Sequence, residues 1–414
     1  MKTQDRTNRI PHLPTGLIAA ATTALLLLAG CSGGGNSSGG GSGSGTAWPP
    51  ATPPATSQVN TYIGTQSPGL YTVTIDHTKN TYSYQDLSTG AAVVSGTFTT
   101  AANGFLVLST AGGSPAGYAL EQLSRVVVLN PNTQYQGNFF SITNNAIFAI
   151  AAPSCQVIPA KTQFEYLGMA SPYSSTDTAG TIYASTDSGG ANWTFGGELY
   201  YYGVGNSKSI TPDPFTAACA AGSAGSAVIQ TDLTVPTSIP ADFAVGPTGF
   251  FVEDNYNNGA KYGGYSSTSG ISFIGAVTPA SPVDLSSLKG ATFLGMGLAG
   301  GPTPADVPQL GAPELVSFSA APDSTGTSIV LTGGPFPSND PTQAPGGGIS
   351  LDLGAQDANN NGYFPLASAT LSSGSGPGTQ SAYALVSNAG GKATILVLAD
   401  TGNLYVEEWI LFQQ

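Results

Sequence analysis

An internal triplication is the feature that most constrains the fold of this chain. Three stretches contain the same landmarks in the same order. Each opens with an aromatic-aliphatic-glycine segment, at 62–65, 166–169 and 293–296. An aspartate follows within a turn-forming segment, at 74–76, 185–187 and 321–323. A glycine-aromatic strand start comes next, at 103–106, 248–251 and 361–364. Because recurring landmarks indicate repeated supersecondary units, we predict three β repeats at 59–165, 166–292 and 293–414.

Within each repeat the residues favour strands. Residues 71–75 alternate between polar and apolar side chains, and 81–84 continue that alternation after a turn. Residues 126–129 and 146–151 are short continuous apolar runs, which is the pattern of strands covered on both faces. We find no sustained 3.6-residue period, so the sequence predicts an all-β chain.

Each repeat offers about eight strands, a number that fits two architectures. In the first, every repeat supplies two four-stranded blades of a six-bladed β-propeller. In the second, the repeats form three tandem eight-stranded barrels or sandwiches. The strands covered on both faces favour the propeller, because blades stack on one another, so the propeller is the preferred prediction.

The N-terminus has the pattern of an export signal. Lys2, Arg6 and Arg9 form a positive segment, and residues 16–28 form an apolar core. This core is too short to span a bilayer and suits a signal peptide. We therefore predict a signal peptide over residues 1–30.

The segment Leu28-Ala29-Gly30-Cys31 resembles the lipobox of bacterial lipoproteins. The resemblance implies that Cys31 becomes the first residue of the mature chain and carries lipid, palmitate included. Ser32, rather than aspartate, after the cysteine implies sorting to the outer membrane. Residues 31–58 are rich in Gly, Ser and Pro, so we expect a tether that holds the folded part away from the membrane.

Charge excludes some partners. The chain carries a formal net charge of −13 at pH 7, so nucleic acid and anionic headgroups are not expected as electrostatic partners. Arg125 is the one arginine beyond the signal segment, which disfavours sites built on arginine clamps. The expected membrane contact is the lipid anchor alone.

The cysteine count agrees with export. With Cys31 assigned to lipid, Cys155 and Cys219 remain as an even pair in an oxidising compartment. We predict a disulfide between them, with two separately buried thiols as the alternative. His77 is the only histidine left to join them, so neither a metal nor a cofactor is expected.

Residues 185–193 resemble the Asp-box of sialidase-type β-propellers, although Trp193 comes one residue late. The resemblance implies a structural turn, with Asp187 binding the backbone of its own hairpin and Trp193 packed in the blade. It does not imply sialidase activity, because those enzymes hold the substrate carboxylate with three arginines.

Two further motifs are weaker. Residues 357–362 begin like a calcium loop, but Ser368 stands where a bidentate acid is needed, so a plain turn is the favoured interpretation. His77 lies in a predicted hairpin turn without a recognisable nucleophile, and no catalytic residue is assigned.

The function predicted from these observations is that of a lipid-anchored cell-envelope protein, a non-enzymatic binding or structural scaffold for an envelope glycan or protein. Tyrosine-rich segments, at 200–202 and 256–265, suit such ligands. The alternative is a carboxylate-dependent hydrolase of envelope or extracellular carbohydrate. Its candidate acids are Glu198, Glu253, Asp254, Glu407 and Glu408.

Overall fold

The fold consists of three antiparallel sheets that follow one another along the chain. The computed structural model describes residues 58–65, 70–86, 92–122, 125–131, 146–151, 157–171, 176–203, 206–210, 215–221, 227–234, 238–256, 270–300, 314–372, 378–388, 391–400 and 406–414. By internal contacts the chain divides into residues 1–44 and 45–414, and the described residues belong to the second unit. In the part of the chain so described, helices are limited to two 3-10 segments, Leu285–Leu288 and Pro337–Asn339.

The first sheet is a closed eight-stranded barrel in which each strand pairs with the next and β1 pairs with β8. Its strands are β1 (Val59–Thr65), β2 (Leu70–Asp76), β3 (Thr81–Asp86), β4 (Val94–Thr100), β5 (Leu106–Thr110), β6 (Pro115–Gln122), β7 (Val126–Pro131) and β8 (Ile147–Ala151).

The middle sheet has nine strands in the order β10-β9-β17-β16-β15-β14-β13-β11-β12, and β10 also pairs with β11. Its strands are β9 (Thr162–Ser171), β10 (Thr176–Thr186), β11 (Asn192–Gly203), β12 (Asn206–Ile210), β13 (Phe215–Ala221), β14 (Ala227–Thr234), β15 (Ser238–Val245), β16 (Phe250–Tyr256) and β17 (Gly270–Val277).

The last sheet is a second closed eight-stranded barrel. Its strands are β18 (Thr292–Gly300), β19 (Glu314–Pro322), β20 (Ile329–Pro335), β21 (Ile349–Asp352), β22 (Tyr363–Leu371), β23 (Gly378–Ser387), β24 (Thr394–Asp400) and β25 (Val406–Gln413).

This topology corrects the preferred fold prediction. The chain is all-β, but the six-bladed propeller is wrong, because eight-stranded closed barrels take the place of paired four-stranded blades. The tandem-barrel alternative fits. The apolar runs were a sound sign of strands covered on both faces, yet the second cover is a neighbouring sheet and not the next blade.

Strand β7 shows how both faces are covered. Val127 and Leu129 point into the first barrel, where they pack with residues from strands around its circumference. Val126 and Val128 point outward into a second apolar cluster. That second cluster contains residues of all three sheets, and we call it the shared core. Its members include Ile63, Phe148, Leu167, Phe250, Leu294, Leu398 and Ile410.

The opening segment of each repeat is now explained by these two environments. Tyr62, Tyr166 and Phe293 lie in the interior clusters of their own sheets. The next residues, Ile63, Leu167 and Leu294, all enter the shared core. Period-two alternation of a strand sends neighbours to opposite faces, so the aromatic-aliphatic pair is one inward and one outward contact.

The glycine that follows allows the barrels to close. A Cβ on Gly64 would lie 2.5 Å from the carbonyl oxygen of Phe148 in β8. A Cβ on Gly295 would lie 2.0 Å from the carbonyl oxygen of Ile410 in β25. Both glycines lie on the first strand of a barrel where it pairs with the last. The repeated glycine therefore permits close approach at the closing seam.

The glycine-aromatic landmark forms contacts between sheets. Gly104, Gly249 and Gly362 all have positive φ, between 80° and 98°, which their turns require. In the first and last repeats the preceding residue is an asparagine that reaches a neighbouring sheet or its flanking segment. Asn103 Nδ2 donates to the Pro341 carbonyl at 2.8 Å, and Asn361 Nδ2 to the Pro279 carbonyl at 2.9 Å. Turn and asparagine together join one repeat to another.

Aspartates order the hairpin between the second and third strands of each sheet. Asp76 accepts from the Thr78 amide at 2.9 Å, Asp187 from the Ala191 amide at 2.9 Å, and Asp323 from the Thr327 amide at 2.8 Å. Side-chain donors hold the pKa of each carboxyl below its ordinary value, to about 2 for Asp76. These aspartates therefore serve the turns.

We expect Gly295→Ala to destabilise the protein, because the new methyl group would meet backbone of β25 that cannot move aside. Overpacking of this kind costs about 1–3 kcal/mol. Gly347→Ala is the matched control, since a Cβ there meets nothing within 4 Å. Urea denaturation should lower the midpoint for Gly295→Ala alone, and equal midpoints would contradict the closing role of this glycine.

Candidate functional site

A polar cluster occupies one end of the first barrel. At its centre is Glu121 of β6, whose side chain is 3 % exposed. Its carboxylate accepts hydrogen bonds from Asn60 Nδ2 at 2.8 Å and from the Tyr62 hydroxyl, and it pairs with His77 Nε2 at 2.6 Å. We call these four residues the rim cluster.

Strand alternation brings the rim cluster together. Tyr62, Ile75 and Ala119 point into the barrel, so Asn60, His77 and Glu121, each two residues from one of them, point the same way. His77 follows β2, and its amide donates to the Gln58 carbonyl at 2.7 Å. Its ring stands edge-on to Phe98, with centroids 5.5 Å apart.

The cluster joins a buried charge to an accessible ring. Three groups bond the Glu121 carboxylate, which is what a buried charged group needs to be stable. The His77 side chain is 27 % exposed. Since Nε2 is engaged by the carboxylate, Nδ1 is the ring nitrogen left for a partner at the rim. This arrangement orients an imidazole for hydrogen bonding.

The corresponding positions of the last barrel are apolar or small. In the register of the repeats, Phe293 stands for Tyr62, and Val386 for Glu121. Both are buried in the interior of the last barrel. Ala291 and Ser324 stand for Asn60 and His77. An eight-stranded barrel of this chain therefore forms without the polar set, which the first barrel has and the last barrel lacks.

Two other carboxyl groups are deeply buried outside the rim cluster. Burial raises the pKa of Glu165 to about 7, against hydrogen bonds from Gln163, Thr181 and Thr278 that lower it. Burial raises the pKa of Glu408 to about 8. Glu408 lies on the same face of β25 as Ile410 and Phe412 of the shared core. Both groups face packed protein.

The acids proposed for hydrolysis are spread over two sheets. Glu198, Glu253 and Asp254 lie on strands of the middle sheet, where Glu253 pairs across with Phe243 and Phe273. Glu407 and Glu408 lie on β25. Glu408 is the one whose side chain is described, and it is buried in the shared core. The side chains of the other four acids are outside the described part of the structure. The same holds for the tyrosine-rich segments 200–202 and 256–265.

The predicted modification sites are mostly outside the described residues. Cys31 and Cys155 both lie there. Cys219 of β13 is disulfide-bonded, and its pairing with Cys155 stays a prediction.

The turn motifs are used locally. Asp187 accepts from the amides of its own hairpin, and Trp193 packs in the interior of the middle sheet. Asp357 accepts from the amides of Asn359 and Asn360 at 2.8 Å each. Among the residues with described positions, no three His, Cys, Asp or Glu side chains group as a metal site requires.

The sequence makes His77 conspicuous but assigns it no role, and it does not single out Glu121 or Glu165. A signal for Glu121 existed in the repeats, because an acid there replaces Val386 of the matching apolar strand. Glu165 precedes the opening segment of its repeat and offered no comparable signal.

The class defined by the first and last sheets is the closed eight-stranded antiparallel barrel. No family model and no curated protein matches the chain. It is similar to a DUF3598-family protein of unknown function from Nostoc punctiforme, 10% identical over 61% of this chain and 95% of that chain, with a TM-score of 0.20. It is also similar to the vaccine antigen Transferrin Binding Protein B of Haemophilus parasuis, 7% identical over 84% of this chain and 66% of that chain, with a TM-score of 0.26. Scores this low carry no argument about this chain.

Within the described ranges, no helix has the length and apolarity to cross a bilayer.

Replacing Glu121 by alanine should destabilise the protein by about 2–4 kcal/mol, because buried donors of Asn60 and Tyr62 lose their acceptor. Lys79→Ala, which removes an exposed partner of Asp76, should cost less than about 1 kcal/mol. The fourfold exchange to last-barrel residues (Asn60→Ala, Tyr62→Phe, His77→Ser, Glu121→Val) should recover most of the loss, since both sides of the interaction are then removed. Thermal unfolding of the three variants checks this, and a fourfold variant weaker than Glu121→Ala would contradict it.

Stability should fall as pH rises from about 4.5 to about 8. The unfolded chain releases the Glu408 proton near pH 4.5, whereas the folded protein keeps it to about pH 8. The stabilisation is therefore complete below pH 4.5 and is lost as pH approaches 8. Glu408→Gln should flatten the urea-midpoint profile over that whole window, and Glu165→Gln only up to about pH 7. A profile unchanged by Glu408→Gln would contradict burial of an ionisable group there.

Proposed function

We propose that this chain is an exported, lipid-anchored protein of the cell envelope, and that its three sheets act as a non-enzymatic binding or structural scaffold. The observation that carries the proposal is the shared core, which joins the three sheets through apolar side chains of each. In the sequence, these three joined sheets follow a lipobox-like segment and a Gly/Ser/Pro-rich tether. Such an arrangement suits a protein that presents a fixed surface above a membrane.

The rim cluster is the proposed contact for a ligand. It combines an imidazole 27 % exposed with a carboxylate that three neighbours bond, and the matching positions of the last barrel are apolar or small. An oriented imidazole can bond the hydroxyl groups of an envelope glycan or the polar groups of an envelope protein.

Carboxylate-dependent hydrolysis gains no support from the described acids. Glu408 is sealed in the shared core, and the Glu165 carboxylate is bonded by Gln163 at 2.6 Å and by Thr181 at 3.0 Å. A glycosidase needs two acids that reach one sugar from opposite sides. We therefore propose no second function.

Lipid anchoring is tested by replacing Cys31. Cys31→Ser should abolish incorporation of a labelled fatty acid and move the protein from the membrane to the soluble fraction. Ser32→Ala is the control and should retain both label and membrane association. In a Gram-negative host, Ser32→Asp should hold the labelled protein at the inner membrane. Label retained by Cys31→Ser would contradict the proposal.

The scaffold function is tested in the same anchored protein. A photo-crosslinking residue at Lys79, which is exposed in the turn beside His77, should capture an envelope component. The same crosslinker in the fourfold rim exchange should capture none, and neither should one at Leu366, exposed on the last barrel. Equal capture by all three proteins would contradict binding at the rim.

A further inference from the structure

Arg125 lies at a point where all three sheets meet. It precedes β7 of the first barrel and is 4 % exposed. Its Nη1 donates to the carbonyl of Lys392 in the last barrel at 2.6 Å. Its guanidinium carbon lies 5.9 Å from the centroid of the Phe250 ring in the middle sheet. The one arginine beyond the signal segment is thus buried between neighbours.

The other edge of this guanidinium carries two further donors. Nε and Nη2 are both buried and have no acceptor among the described residues. The ion pairs found among the described residues are His77–Glu121 and Lys79–Asp76, and neither includes Arg125. Nε and Nη2 share one edge of the planar group, where their two N–H bonds run nearly parallel. This edge matches the two oxygens of a carboxylate or a phosphate.

The group is charged as well as buried. Burial lowers the pKa of the Arg125 guanidinium to about 10, so it is still protonated at neutral pH. A buried cation is destabilising unless an anion or enough acceptors compensate it. One carbonyl and one ring face supply part of that compensation, and neither satisfies the side edge.

We propose that the junction of the three sheets is a binding site for a small oxyanion, which Arg125 holds through the paired donors of Nε and Nη2. The ligand class is a carboxylate or phosphate group that presents two oxygens in one plane. Lys392 contributes its backbone carbonyl and Phe250 its ring. The bound anion would neutralise the buried charge and stabilise the contact among the three sheets.

Arginine-specific NMR tests the proposal without a mutation. The chain has three arginines, Arg6, Arg9 and Arg125, so ¹⁵N-arginine labelling of the detergent-solubilised protein gives few Nε–H signals. The spectrum of Arg125→Lys identifies the Arg125 signal by its loss. Titration with sodium formate or sodium phosphate should move that signal to saturation, whereas sodium chloride at matched ionic strength should not. The two oxyanions distinguish a carboxylate ligand from a phosphate ligand by their half-saturation concentrations.

Thermal unfolding gives the second measurement. The preferred oxyanion should raise Tm saturably in the wild-type protein, and Arg125→Lys should weaken this effect at least tenfold because lysine lacks the paired donors. Lys289→Ala, which removes an exposed lysine that takes no part in the proposed site, should retain the full effect. The proposal is overturned if chloride acts like the oxyanions on the Arg125 signal, if no oxyanion moves it, or if Arg125→Lys keeps the saturable rise in Tm.

Discussion

Burial of the outward-facing apolar residues in the shared core is the interaction on which the rest of the structure depends. A barrel already buries its inward face, so Ile150, Leu398 and Ile410 would be exposed if each sheet stood alone. Full burial of such a side chain contributes about 1.5–3 kcal/mol. Aromatic contacts between sheets, Phe105–Phe336 and Phe148–Phe250, belong to the same core. The three sheets are therefore expected to be stable as one unit and not as three.

Much of the fold could be predicted from the sequence, and the error has a definite origin. The strands at 71–75, 81–84 and 126–129 all lie within observed strands, and the glycine landmarks lie at turns and closing seams. An apolar run such as Val126–Leu129 shows that both faces of a strand are covered. It carries no information on what covers the second face, because a blade and a neighbouring barrel remove the same area from water. The barrel closes through pairing of β1 with β8, two strands that are far apart in sequence.

The candidate site could be predicted only in part for a similar reason. His77 is conspicuous as an isolated histidine, but its partner Glu121 is 44 residues away. Their meeting depends on closure of the barrel, because β2 and β6 are not paired strands and these two side chains meet in the barrel interior. The comparison of repeats could have supplied the missing information, since Glu121 replaces Val386 and Tyr62 replaces Phe293. A polar residue that replaces an apolar one at a matching interior position can be recognised only after the repeats have been aligned.

Two charged residues, Glu121 in β6 and Arg125 just before β7, lie on opposite sides of the barrel wall. Glu121 and Arg125 are four residues apart, yet they do not pair. The carboxylate points inward to Asn60, Tyr62 and His77, while the guanidinium points outward to Phe250 and Lys392. A salt bridge between them would have neutralised both charges within the first repeat. Because the wall separates them, each charge needs its own partners. The inner charge finds them within its own barrel, whereas the outer one depends on contacts from the other two sheets.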